Sequence, residues 1–270
     1  MLPSTQIIGT FFVFNGKIDP IKIFMKRETM IISNSAQDRF LKLEHLHDSS
    51  THFNIKNTSD FNNSIDHIVG LLTDSFTLIK QNSYGSAVFL AITAMEEIAK
   101  THYALYMKHN LSIKNSKDPM MNHSYKHGLS VSPVFKIGDR LPNVIGAEKI
   151  DEIISMVDQR NGLMDLRNNA IYWYTDKKGT HFPKDCIDKK IAQEILLFSI
   201  ETFDDNLVGY SSYSMKIAAD TDDIFQSIAK DYSSKESVDD RVVRKRKYST
   251  EGFNLTDLIF ESTKKEKSPK

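Results

Sequence analysis

The chain has 270 residues, with 35 basic and 35 acidic side chains and a formal net charge of zero. That balance argues against a polyanion-coating protein or an acidic solvating chain. Its one cysteine, Cys186, excludes an internal disulfide framework and a multi-cysteine zinc site, and an intracellular, cytoplasmic protein is expected.

No run of 18 apolar residues exists, so no membrane span and no membrane partner are expected. Residues 1–35 read as an N-terminal extension. Their apolar core lacks a preceding basic residue, which makes a poor secretory signal. Two Ile-, Phe- and Val-rich segments flank Asn15-Gly16, a turn pair that predicts a short β-hairpin, with Pro20 confining the second strand to an edge. The segment is equally readable as lying upstream of a start at Met25 or Met30. A short helix is expected at 36–47.

From Asp60, Ile65, Ile68, Val69, Leu72, Phe76 and Ile79 recur at helical spacing and predict a helix over 60–81. After a break at Asn82, Ser83 and Gly85, the run Ser86–Met95 is apolar or small on every face, which places its helix at the centre of a bundle. The two helices are expected to form an antiparallel hairpin. A short helix is expected at 119–128 and a long third helix at 147–174, striped by Ile150, Ile153, Ile154, Val157, Met164 and Ile171. Asp185 is placed to cap a fourth helix that runs to about 209. The helical domain is thus expected over 36–216, with a charge-segregated tail over 217–270. Residues 217–240 sum to −5 and residues 241–270 to +5, with Arg241–Lys247 the densest basic run. Such a tail is either solvated or a contact for nucleic-acid phosphates.

Three groups of polar residues carry the candidate chemistry. Glu96 and Glu97 end the apolar run of the central helix, with Lys100 four residues after Glu96, in the order that favours an ion pair. Counted at 100° per residue from Ile150, Asn161 and Asn168 fall within about 20° of the centre of the apolar stripe, with Arg160 and Arg167 at its edge. Polar residues on a core-facing stripe mark either a functional site or a buried hydrogen-bond network. Tyr172, Trp173 and Tyr174 follow. Between these groups lie His123, Lys126 and His127. Two histidines at i, i+4 can hold zinc, but no glutamate intervenes and no third ligand is near, so no metal is expected. No Gly-rich phosphate loop is present, and no cofactor is expected.

Taken in order, Glu96-Glu97-x-x-Lys100, His123-x-x-Lys126, then Arg167, Ile171-Tyr172, Asp176 and Pro183 resemble the AbiV family of abortive-infection proteins, a branch of the HEPN superfamily. The resemblance covers roughly residues 60–210. It implies an all-α fold, an antiparallel HEPN bundle of four to five helices, often a homodimer, acting in defence against phage. The resemblance also implies a likeness to metal-independent endoribonucleases, whose signature is Arg, usually followed by a polar residue, then four to six residues and His. Arg167-Asn168 matches its start, but Tyr172 stands at the histidine position, and a phenol is a poor base at neutral pH. The resemblance therefore leaves two readings. In one, an endoribonuclease blocks translation, with Arg167, Asn168, Tyr172, His123 and Glu97 catalytic and Glu96, Lys100, Lys126, His127, Arg160, Asn161 and Tyr174 in support. In the other, a non-catalytic helical module binds RNA or a phage-encoded protein.

Overall fold

The computed structural model describes residues 13–14, 17–18, 49–131, 140–158, 162–233 and 254–265. The helix expected at 36–47, the pair Arg160 and Asn161, and the run Arg241–Lys247 lie outside the described residues. Near the N-terminus, β1 (Val13–Phe14) pairs antiparallel with β2 (Lys17–Ile18), and two residues separate the strands, as the hairpin expected on Asn15-Gly16 requires.

The rest is mostly helical, in line with the expected all-α, HEPN-like bundle. Helix α1 (Thr58–Lys80) is capped by Asn57, whose side chain accepts from the Asp60 N–H at 2.9 Å. It buries Phe61, Ile65, Ile68, Leu72, Ser75 and Ile79, one residue per turn on a single face. Three residues reverse the chain into α2 (Tyr84–Ala104). The Ser75 hydroxyl donates to the Ala87 carbonyl at 2.8 Å, so the two helices run antiparallel in close contact. Helix α2 is buried nearly all round, as its uncharged run requires. β3 (Ser50–Thr51) lies parallel to β4 (Lys108–His109) beside its C-terminal end.

Two short 3₁₀ turns lead to α3 (His123–Ser130). Helix α4 (Arg140–Ile145) ends at Gly146, whose φ of +83° lets the chain turn directly into α5 (Ala147–Asp158). The single helix expected over 147–174 is instead three elements. α5 gives way to α6 (Gly162–Asn169), and then to a hairpin of β5 (Tyr174–Asp176) and β6 (Gly179–His181). Gly162 makes the break possible: a Cβ there would sit 2.4 Å from the Met156 carbonyl oxygen. Asn168 therefore stands on a different helix from Ile150, the residue its face was counted from, and is only half-buried.

After a single turn, α7 (Pro183–Cys186), comes α8 (Lys189–Leu207). Its cap is Asp188, accepting from Ile191 N–H at 2.8 Å; Asp185 accepts from Phe182 N–H instead. Like α2, α8 is buried nearly all round, and the Ser199 hydroxyl reaches the Ala91 carbonyl of α2 at 3.1 Å. The acidic segment expected to begin the tail folds as α9 (Ser212–Tyr232), with Ala218, Thr221, Phe225 and Ile228 buried. Helix α10 (Leu255–Lys265) docks as well: Thr256 N–H donates to the Tyr210 carbonyl, and its hydroxyl bonds Thr58 of α1 at 2.8 Å. Among the described residues no helix is long and apolar enough to cross a membrane.

Two buried polar nodes join these helices. Arg140 bonds Glu201 (2.5 Å), Asp204 (2.7 Å) and Asp222 (2.6 Å), and stacks 4.2 Å over the Phe225 ring. Burial works against its charge, but the carboxylates of Asp204, Glu201 and Asp222 prevail and raise its pKa. His102 of α2 lies between Asn206 (3.0 Å) and the Tyr210 hydroxyl (2.9 Å), which also bonds the Tyr106 hydroxyl. The Asn206 amide nitrogen donates to the Ser130 and Thr202 carbonyls, so its oxygen must accept from His102 Nδ1–H.

Replacing Arg140 by alanine removes the cation shared by three buried carboxylates. A loss of about 3–5 kcal/mol is expected in urea denaturation. A second expectation concerns acid. Burial lowers the His102 pKa from 6.5 to about 4, with the Asn206 bond opposing. The unfolded chain therefore takes up this proton before the folded chain does. Stability should be complete above pH 6.5 and fall by about 3 kcal/mol as the pH drops to 4. Urea midpoints at pH 7 and 5 should separate less in His102→Gln than in the unaltered protein.

Candidate functional site

The site begins with one carboxylate. Glu96 lies on α2 and is 2% exposed, an expensive position for a charge without partners. Helix α3 supplies most of them. Its cap, Asn122, accepts from Tyr125 N–H at 3.0 Å and starts the helix just before His123. His123, Lys126 and His127, spaced i, i+3 and i+4, then share one face. Glu96 Oε2 meets His123 Nδ1 at 2.6 Å and Lys126 Nζ at 2.7 Å, while Oε1 meets His127 Nε2 at 2.9 Å.

The fourth basic group comes from α6. Arg167 Nε stands 3.6 Å from Glu96 Oε1, an electrostatic contact beyond hydrogen-bond length. Its guanidinium rests 4.3 Å over the Phe89 ring. Gly85, Phe89 and Glu96 stand on one face of α2, at intervals of four and seven residues. α6 and the turn after it run along this face. A Cβ on Gly85 would lie 2.3 Å from the Ala170 carbonyl oxygen, so only glycine admits this approach. Sequence reasoning passed over Phe89 and read Gly85 as part of the break before α2, whereas it lies within the helix; their spacing from Glu96 was the available signal.

Burial raises the pKa of the Glu96 carboxyl, and the hydrogen bonds from His127 and Lys126 overcome it, holding the group at about 2. Glu96 is thus ionised at every physiological pH. Lys126 and Arg167 together bring two charges against its one. Counted without the histidines, the set keeps one positive charge in excess, which suits an anionic ligand. The cluster is graded from inside to outside. The His127 side chain is 2% exposed and that of His123 39%, so the set opens to solvent at His123. The two histidines address different oxygens of Glu96, and among the described residues no three His, Cys, Asp or Glu side chains are placed to hold a metal.

The expected residues divide accordingly. Glu96, His123, Lys126, His127 and Arg167 converge. Glu97 does not join them. It pairs with Lys100 at 2.7 Å on the flank, where Lys100 also covers the Phe53 ring at 4.5 Å. The expected Glu96–Lys100 pair is thereby replaced by Glu97–Lys100, because Glu96 points into the bundle. Tyr172 is 62% exposed and Tyr174 37%, so neither belongs to the buried set. Asn168 contributes its backbone carbonyl, which accepts from Ile171 and Tyr172 N–H and turns the chain out of α6.

The family model HEPN_AbiV, described as AbiV, matches residues 61–201, from the first turn of α1 into α8. The chain belongs to the AbiV family of HEPN proteins. As an AbiV-family chain it is an abortive-infection protein of HEPN type. The AbiV match spans all five converging residues and leaves α9 and α10 outside it. No curated protein and no solved structure matches the chain.

Removing the carboxylate tests the cluster as a unit. Glu96→Gln leaves Lys126 buried without its counter-charge and should cost about 3–5 kcal/mol in urea denaturation. The pH dependence has the opposite sense to a raised pKa. With the folded value near 2 and the unfolded value 4.5, the contribution of Glu96 is complete above pH 4.5 and is lost as the pH falls toward 2. An acid titration followed by circular dichroism should show this limb flattened in the variant.

Proposed function

We propose that this abortive-infection protein cleaves RNA with its own side chains, at the cluster around Glu96. One observation carries the reading. His123 is held through Nδ1 by a buried carboxylate at 2.6 Å, while its ring is the most exposed of the cluster. A carboxylate fixed on one imidazole nitrogen orients the ring and leaves the other, Nε2, to exchange a proton with substrate. His123 here takes the place that the sequence pattern gives to residue 172.

The chemistry follows from the groups present. His123 Nε2 accepts the proton of a ribose 2′-hydroxyl. The 2′-oxygen attacks the adjacent phosphorus, the bond from phosphorus to the 5′-oxygen breaks, and that oxygen leaves with a proton from water. The products are a 2′,3′-cyclic phosphate and a 5′-hydroxyl. Arg167 and Lys126 supply positive charge for the phosphorane as it forms. Glu96 and His127 position these groups rather than touch the substrate. Loss of RNA would halt translation in an infected cell.

A second reading is supported by the burial of Glu96, Lys126 and His127. In it the cluster only ties α2, α3 and α6 together, and the protein acts by binding RNA or a phage-encoded protein. Cleavage of end-labelled RNA by the purified full chain separates the two. His123→Ala should lower the rate by about 10²–10⁴-fold and Arg167→Ala by about 10²–10³-fold, both in folded protein. RNA with 2′-deoxyribose should resist cleavage. Intact RNA with the unaltered protein, alongside phage protection that depends on Arg167, would favour the binding module.

A further inference from the structure

The hairpin that follows α6 is built unlike the rest of the bundle. Every residue from Ile171 to Thr180 is exposed, so burial does not account for its order. It is held from within. Tyr174 pairs with His181, Thr175 with Thr180 and Asp176 with Gly179. The Asp176 carboxylate accepts from Lys178 N–H (2.7 Å) and Gly179 N–H (3.2 Å), and meets His181 Nε2 at 3.0 Å. A hydrogen-bonded element with nothing to bury displays four aromatic rings. Tyr172 is 62% exposed, Trp173 64%, Tyr174 37% and Phe182 46%. Tyr174 stacks on His181 at 4.8 Å, and Trp173 and Phe182 face each other more loosely at 6.5 Å.

Cations are interleaved with these rings. Lys177, Lys178 and Lys184 are exposed, and no acidic side chain among the described residues pairs with them. The acids nearby are already engaged, Asp176 within the hairpin and Asp185 on the Phe182 N–H. The core of a protein-docking patch is depleted of charge. Aromatic faces mixed with unpaired lysines instead match a single strand of nucleic acid, whose bases stack while its phosphates meet the lysines. The hairpin is also tied to the cluster. Ala170, at its base, packs on Gly85, eleven residues before Glu96 on the same face of α2. That is about 16 Å of helix, spanned by about five nucleotides or fewer at ~3.4 Å or more each.

We propose that the β5–β6 hairpin is a base-stacking platform that holds single-stranded RNA, with Trp173 and Tyr172 as its principal contacts, and feeds it to the cluster at Glu96. The proposal rests on the reading of that cluster as a site that acts on RNA. It also gives Tyr172 a role that its exposure permits, contact with a base rather than proton transfer.

Trp173 is the sole tryptophan of the chain, so its fluorescence reports on this platform alone. The full-length protein is titrated with a single-stranded 2′-O-methyl oligonucleotide, which cannot be cleaved, and with an abasic phosphodiester of equal length. Saturable quenching is expected with the first and not the second. In cleavage assays Trp173→Ala should raise KM by roughly 5- to 100-fold, the effect of losing one stacked base, with kcat within about twofold and most of the loss recovered in Trp173→Phe. Quenching without any cleavage would remove the ribonuclease reading and leave the platform standing. Cleavage with no quenching and an unchanged KM in Trp173→Ala would overturn the platform and leave the ribonuclease. Were Trp173→Ala instead to reduce the oligomer in sedimentation while RNA affinity stayed constant, the patch would be a protein interface and the proposal would be wrong.

Discussion

The carboxylate of Glu96 must stay ionised inside a helix bundle, and much of the local architecture follows from that requirement. A buried charge costs several kcal/mol before it is compensated. Helix α2 offers no compensation of its own, since its one nearby cation, Lys100, is engaged by Glu97 on the flank. The basic groups have to arrive from elsewhere. Helix α3 delivers three at once because i, i+3 and i+4 share a face, and α6 delivers Arg167 along the groove that Gly85 keeps open. The same requirement fixes which side chain reaches the solvent. Lys126 and His127 are drawn inward beside the carboxylate, and His123, one turn nearer the start of α3, is left at the rim.

Much of this fold is legible in the sequence because α1, α2 and α8 obey simple periods. Ile65, Ile68, Leu72 and Ile79 mark one face of α1, and an uncharged run marks α2 as central. The failures have particular causes. Counting at 100° per residue through 147–174 takes no account of Gly162, which costs a helix only about 1 kcal/mol by propensity but here permits a break that moves every later residue off the stripe. Asp185 and Asp188 are equally good caps by residue type, and only the chain path chooses between them. In 217–232 the acidic composition outweighed a period that was present, Ala218, Thr221, Phe225 and Ile228. In the site, the order of Glu96, His123 and Arg167 along the chain was readable, but their convergence was not. It depends on how α3 and α6 cross α2, and no local spacing encodes that crossing. Lys100 went to the wrong partner for the same reason, since both glutamates lie within its reach along the helix and burial removes only Glu96.

Two other polar nodes of the bundle follow another logic. His102 is neutral, fully hydrogen-bonded and enclosed by tyrosines, and Arg140 is surrounded by carboxylates. Neither is graded toward solvent as the Glu96 set is. Each links α8 to a different neighbour, His102 to α2 and Arg140 to α4 and α9. Burial alone therefore does not mark a site in this protein. What distinguishes the Glu96 cluster is the combination of excess positive charge with one partner standing at the surface.

The boundary of the family match has a consequence for how the chain folds. Residue 201 falls inside α8, a helix enclosed on nearly all sides, so the matched span stops short of Phe203 and Leu207, both fully buried. Helix α9 closes over α8 with Phe225 and Ile228, and Asp222 completes the shell around Arg140. The matched span and the packed bundle are therefore different lengths of chain. The matched segment packs against residues outside it, and a fragment trimmed to that segment would carry the whole cluster on a bundle with an open side.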